Sequence, residues 1–143
     1  MGELEELYDR HGGEVAFFIV YIREAHPEDG WVLADNRREA IALADPVSLD
    51  ERAEAADACA LRLATRIPIL LDDVDDAVAS AYGGWPDRLY LVGRNGRISF
   101  RGEVGPFGFK PAELARAIEA ELAVPAAAVR QPREPGTVPR PSG

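Results

Sequence analysis

Cysteine is almost absent from the chain: Cys59 is the only one in 143 residues. A lone thiol cannot close an internal disulfide, which excludes a disulfide-stapled secreted fold and leaves the redox compartment open. Long apolar runs are missing too, since none approaches the roughly 20 residues needed to span a bilayer. No basic-then-apolar leader precedes the first predicted element. Basic residues are outnumbered, 16 Lys and Arg against 25 Asp and Glu, for a formal charge of -9, and they are scattered instead of forming a stripe. Nucleic acid and anionic membrane are therefore poor partners, and the expectation is a soluble, cytoplasmic chain. The glycine-punctuated stretch from Gly102 to Gly108 has neither a phosphate-loop lysine nor a dinucleotide fingerprint and reads as structural.

What is present is one domain's worth of alternating elements. A helical pattern begins at once, with Leu4, Leu7, Tyr8 and His11 in phase and Gly12-Gly13 as its stop. The run Val15 to Ile22 is apolar, β-branched and aromatic, and predicts a strand covered on both faces. After a polar loop, Ser48 with Glu51 forms a capping box for a helix from about Leu49 to Arg66. Pro68 to Leu71 predicts a short strand. Asp72 and Asp73 offer N-caps for a helix through Tyr82, closed by Gly83-Gly84. Arg88 to Val92 and Ile98 to Arg101 flank Asn95-Gly96 as a β-hairpin. Pro111 opens a last helix with Leu114, Ile118 and Leu122 on one face. Residues 1–123 thus read as one α/β domain with a mixed sheet, and 124–143, rich in Pro, Ala and Arg, as a disordered tail. A helix that leads into a parallel strand implies an earlier strand in the same sheet, so the N-terminal central strand is expected to be missing.

Two segments carry chemistry. The first, Tyr21-Ile22-Arg23-Glu24-Ala25-His26-Pro27-Glu28-Asp29-Gly30-Trp31, follows the apolar strand, where open α/β sheets place their ligands. His26 can exchange protons near neutral pH, and Glu24 is close enough in sequence to orient it. An isolated loop histidine beside a solvated acid is more often inert, so the setting has to supply the weight. The second segment, Tyr82-Gly83-Gly84-Trp85-Pro86-Asp87-Arg88-Leu89-Tyr90, puts a proline just before a strand that enters a hairpin. It resembles the cis-proline loop of thioredoxin folds, against the ordinary alternative of a trans proline ending a loop.

Together these segments resemble the iodothyronine deiodinase family. The likeness continues through Ser48-Leu49-Asp50-Glu51-Arg52, Leu70-Leu71-Asp72, Arg88-Leu89-Tyr90 and Gly102-Glu103-Val104-Gly105-Pro106, and covers about Met1 to Leu122. The resemblance implies a thioredoxin-like fold and a selenocysteine or cysteine nucleophile at the start of the first helix. That residue would lie upstream of Met1, through a truncated sequence or an in-frame selenocysteine codon read as a stop. A helix N-terminus suits a chalcogen anion, since it lowers the thiol or selenol pKa. The resemblance further implies reductive dehalogenation of a small aromatic molecule with an external thiol reductant and no bound cofactor. His26 would be the proton-handling group and Glu24 its partner. Arg88 would meet an anionic end of the substrate, with Trp31, Trp85 and Pro86 at the binding surface. A homodimer is left open. Asp45-Pro46-Val47 stands where vertebrate members carry a second histidine, which puts thyroid hormone as substrate in doubt.

Two other functions share these residues: a non-catalytic thioredoxin-like module that binds a partner through the proline-loop face, and a thiol peroxidase. Cys59 lies with Ala56, Ala60 and Leu63 on the apolar side of a predicted helix and reads as a buried structural thiol. Asp72, Asp73, Asp75 and Asp76 read as helix-start carboxylates, and no metal is expected.

Overall fold

The structure is a computed structural model that describes residues 1–23 and 46–125. The first helix, α1 (Gly2–His11), buries Leu4, Leu7 and His11 on one stripe. Glu3 and Glu5 lie in its first turn, Arg10 and His11 in its last, the arrangement that complements the helix dipole. Strand β1 (Ile19–Tyr21) pairs in parallel with β2 (Ile69–Leu71), with Val20 opposite Leu70. β1 is shorter than the apolar run because its partner is short: Pro68 has no N–H to donate, and the ladder closes where Asp72 N–H donates to Tyr21 O at 2.9 Å. The expectation of a strand covered on both faces needs correcting. Phe17 and Ile19 pack on the core, whereas Phe18 and Val20 are exposed among the described residues.

Helix α2 (Leu49–Leu63) starts as its capping box predicts, Glu51 N–H donating to Ser48 Oγ while Glu51 Oε2 accepts from Val47 N–H. It ends earlier than expected because Ala64 turns left-handed at φ 48°. Cys59 is half-buried, not buried, and Leu63 is exposed, since only the Arg52, Ala55 and Ala56 side of α2 is fully covered. Helix α3 (Ala77–Tyr82) also starts late, with Asp76 in its N-cap position. Asp72 still caps it from a distance, for its buried carboxylate accepts the N–H groups of Asp73, Val78 and Ala79 at 2.7–2.9 Å.

Strands β3 (Tyr90–Val92) and β4 (Ile98–Arg101) form the predicted antiparallel hairpin. Gly96 takes φ +74° at its turn, and Arg97 N–H donates to Asn95 Oδ1. Helix α4 (Pro111–Ala123) buries Leu114 and Ile118. The core joins Leu4 and Leu7 of α1 to Leu114 and Ile118 of α4, with Ile67 and Leu91, and Phe17, Ile19, Leu89 and Phe100 packed against them.

This is the mixed α/β arrangement of a thioredoxin-like fold, with one departure. β1–β2 and β3–β4 are separate two-stranded sheets, and no described strand pairs with the second edge of β1 or of β3. Both ladders nevertheless contribute to one apolar core.

Candidate active site

The site lies where the end of β1 meets the loop between α3 and β3. Gly83, at φ +58°, terminates α3, and Gly84 N–H folds back onto Ala79 O at 2.9 Å. The chain then passes through Trp85 and a cis peptide bond to Pro86, so the proline loop has the isomer its resemblance implied. Gly84 lies against the residue that follows β1, since a Cβ there would be in ordinary contact, 3.9 Å, with Ile22 Cδ1. One residue on, the Arg23 guanidinium carbon sits 5.3 Å from the Trp85 ring centroid. The two segments singled out in the sequence are therefore neighbours in space.

Glu24, His26 and Trp31 lie outside the described residues. Arg88 is described and is engaged: its Nε donates to Gly102 O at 2.7 Å, its Nη1 reaches Gly83 O at 3.3 Å, and it lies over the Tyr90 ring. Tyr90 in turn donates through its hydroxyl to Tyr82 O and meets the Tyr82 ring edge-on. Arg88 and Tyr90 thus brace the proline loop from two sides. Asp87, next to Pro86, carries a buried Oδ1 without a hydrogen-bond partner, and burial pushes its carboxyl above the usual range. Its carboxylate occupies the space that a side chain at Gly105 would need.

Behind the loop stands an ion-pair relay that the sequence reading missed. Arg52 is 2% exposed, and its Nη1 donates to Asp73 O at 2.6 Å and to Asp76 Oδ1 at 3.1 Å. Asp76 Oδ2 faces Arg23 Nε at 4.0 Å. Burial raises the Asp72 carboxyl, but the N–H groups of Ala79, Val78 and Asp73 and the charge of Arg52 outweigh it and hold the group below its ordinary value. The four clustered aspartates had read alike as helix-start acids, and nothing in their spacing singles out Asp76. Arg23, Asp76, Ala79, Ser80, Gly83 and Trp85 enclose an open pocket of about 200 Å³. Among the described residues no group of three His, Cys, Asp or Glu side chains could hold a metal ion.

The iodothyronine deiodinase family model matches residues 1–121, nearly all of the chain that carries these features. The chain belongs to the iodothyronine deiodinase family. It is 31% identical over 119 residues to the type I iodothyronine deiodinase of Xenopus laevis, covering 83% of this chain and 45% of that one. It is 34% identical over 114 residues to the thyroxine 5-deiodinase of Ovis aries, 80% of this chain and 37% of that one. The Homo sapiens thyroxine 5-deiodinase is likewise 34% identical, over 80% of this chain and 36% of its own length. The chain thus spans less than half the length of the curated relatives it matches. No helix among the described residues is long and apolar enough to cross a membrane.

Proposed function

We propose that this chain supplies the proton-handling and substrate-holding part of a thiol- or selenol-dependent reductive dehalogenase acting on an aromatic ring. The observation that carries the reading is the juxtaposition of the β1 end with the cis-proline loop in a member of this family. Among the described residues no strand pairs with the second edges of β1 and β3, and a further strand between them, followed by a cysteine or selenocysteine at the amino end of α1, would fit there.

In this reading the chalcogen anion takes the halogen from the ring, forming a chalcogen–halogen bond with the electron pair of the old bond left on carbon. His26, partnered by Glu24, delivers a proton to that carbon. Two equivalents of external thiol then release halide and leave a disulfide, which restores the anion. Arg88 holds the proline loop through its bonds to Gly102 O and Gly83 O, while Trp31, Trp85 and Pro86 supply apolar surface.

The test is iodide release from 3-iodophenol by the full-length protein with dithiothreitol, comparing wild type with His26→Asn. A general acid is worth about 10²–10⁴ in rate, so His26→Asn should slow release by at least a hundredfold and remove the pH dependence near neutrality. Unchanged release by the variant would remove His26 from the mechanism. Consumption of hydrogen peroxide without iodide release would favour the thiol peroxidase.

A further inference from the structure

We infer that Arg23 is the residue that selects for an anionic substrate, and that the pocket between Asp76 and Trp85 takes the ring of a single-ring aromatic carboxylate. The inference rests on the dehalogenase reading for its place in a reaction, but its geometry is independent. Arg23 lies two residues beyond β1 and lines the pocket with its side chain about half exposed. Its Nε lies 4.0 Å from Asp76 Oδ2, beyond hydrogen-bond reach, while the buried Arg52 holds Asp76 Oδ1 at 3.1 Å. Among the described residues no hydrogen bond takes up the Arg23 donors, whereas Arg88 has two of its nitrogens committed to carbonyl groups.

The Arg23 fork is steadied from below by the Trp85 ring at 5.3 Å and from the side by Asp76, which orients it without occupying its donors. A guanidinium placed this way offers two parallel N–H donors to a carboxylate, a pairing a neutral ligand cannot make. Size narrows the class further. An apolar cavity of roughly 150 Å³ holds a benzene ring, so this open pocket of about 200 Å³ has room for one aromatic ring. The apolar lining is Trp85, Ala79 and the Gly83 backbone, and Ser80 adds a hydroxyl.

The experiment uses the full-length protein without reductant and with unreactive probes, 3-methylbenzoate and 3-methylbenzyl alcohol, titrated calorimetrically. Wild type should bind the acid at least tenfold tighter than the alcohol. Arg23→Gln should abolish that preference, and Arg23→Lys should keep part of it, since the charge remains while the paired donors are lost. Equal binding of acid and alcohol by wild type, or a preference that survives in Arg23→Gln, would overturn the assignment. If Arg23→Gln melts early, the acid-to-alcohol ratio in wild type and Arg23→Lys decides instead. An Arg23-dependent preference without halide release under any thiol would sink the dehalogenase reading and leave the pocket. Halide release with no role for Arg23 in binding would do the reverse.

Discussion

Asp72 and Asp87 are carboxylates with opposite destinies, and the difference is the number of donors each one meets. Asp72 is 1% exposed yet ionised, because three backbone N–H groups and the Arg52 charge replace its lost water. Its native pKa lies below the unfolded value, so its contribution to stability is present above the unfolded pKa and is lost as pH falls through the native one. Asp72→Ala leaves those donors unpaired beside a buried guanidinium and should cost about 2–4 kcal/mol, read by urea denaturation at neutral pH. An unchanged midpoint would refute the capping role. Asp87 has the opposite sign. Its native pKa is raised, so folding favours the protonated carboxyl, and stability falls as pH rises from the unfolded value through the native one. Asp87→Asn should therefore gain stability relative to wild type as pH is raised across that acidic window, as thermal melts at a series of pH values would show. A flat difference between the two proteins would place the carboxyl in contact with water.

At the scale of elements, turns and caps decided how much could be read in advance. The Asn95-Gly96 hairpin, the Ser48 cap and the Pro111 helix start rest on local chemistry, and the structure has all three. Gly96→Ala forces a Cβ into the left-handed region and should destabilise by about 1–2 kcal/mol. Ser48→Ala should cost about 1 kcal/mol through loss of the bond to Glu51 N–H, and an equal melting temperature would show that the cap contributes nothing. Extents were less legible, because they depend on partners distant in sequence. β1 stops where β2 runs out of paired residues, and α2 stops at Ala64, whose left-handed turn no glycine announces. The reverse holds for the segment after α2: Thr65 Oγ1 and Arg66 N–H donate to Glu5, and Arg66 also pairs with Asp9. Contacts 60 residues apart in sequence thus anchor the chain entering β2 to α1, and no local pattern could have shown them.

For the whole molecule, the cis Trp85-Pro86 loop beside the β1 end was legible because the family resemblance lies in those two segments. The relay from Arg52 through Asp76 to Arg23 was not, because it joins α2, the start of α3 and the β1 exit, which meet only in the folded chain. Among the described residues the two ladders share one core without pairing to each other. The central claim is that the ring loses halogen to a chalcogen anion and gains a proton at the same carbon. The most direct measurement is turnover of 3-iodophenol by the full-length protein in deuterated buffer with excess dithiol, with the arene analysed by mass spectrometry and NMR. The account predicts one deuterium at the carbon that carried iodine, and one iodide and one disulfide per turnover. A hydroxyl at that carbon, or iodide released with no thiol oxidised, would contradict it.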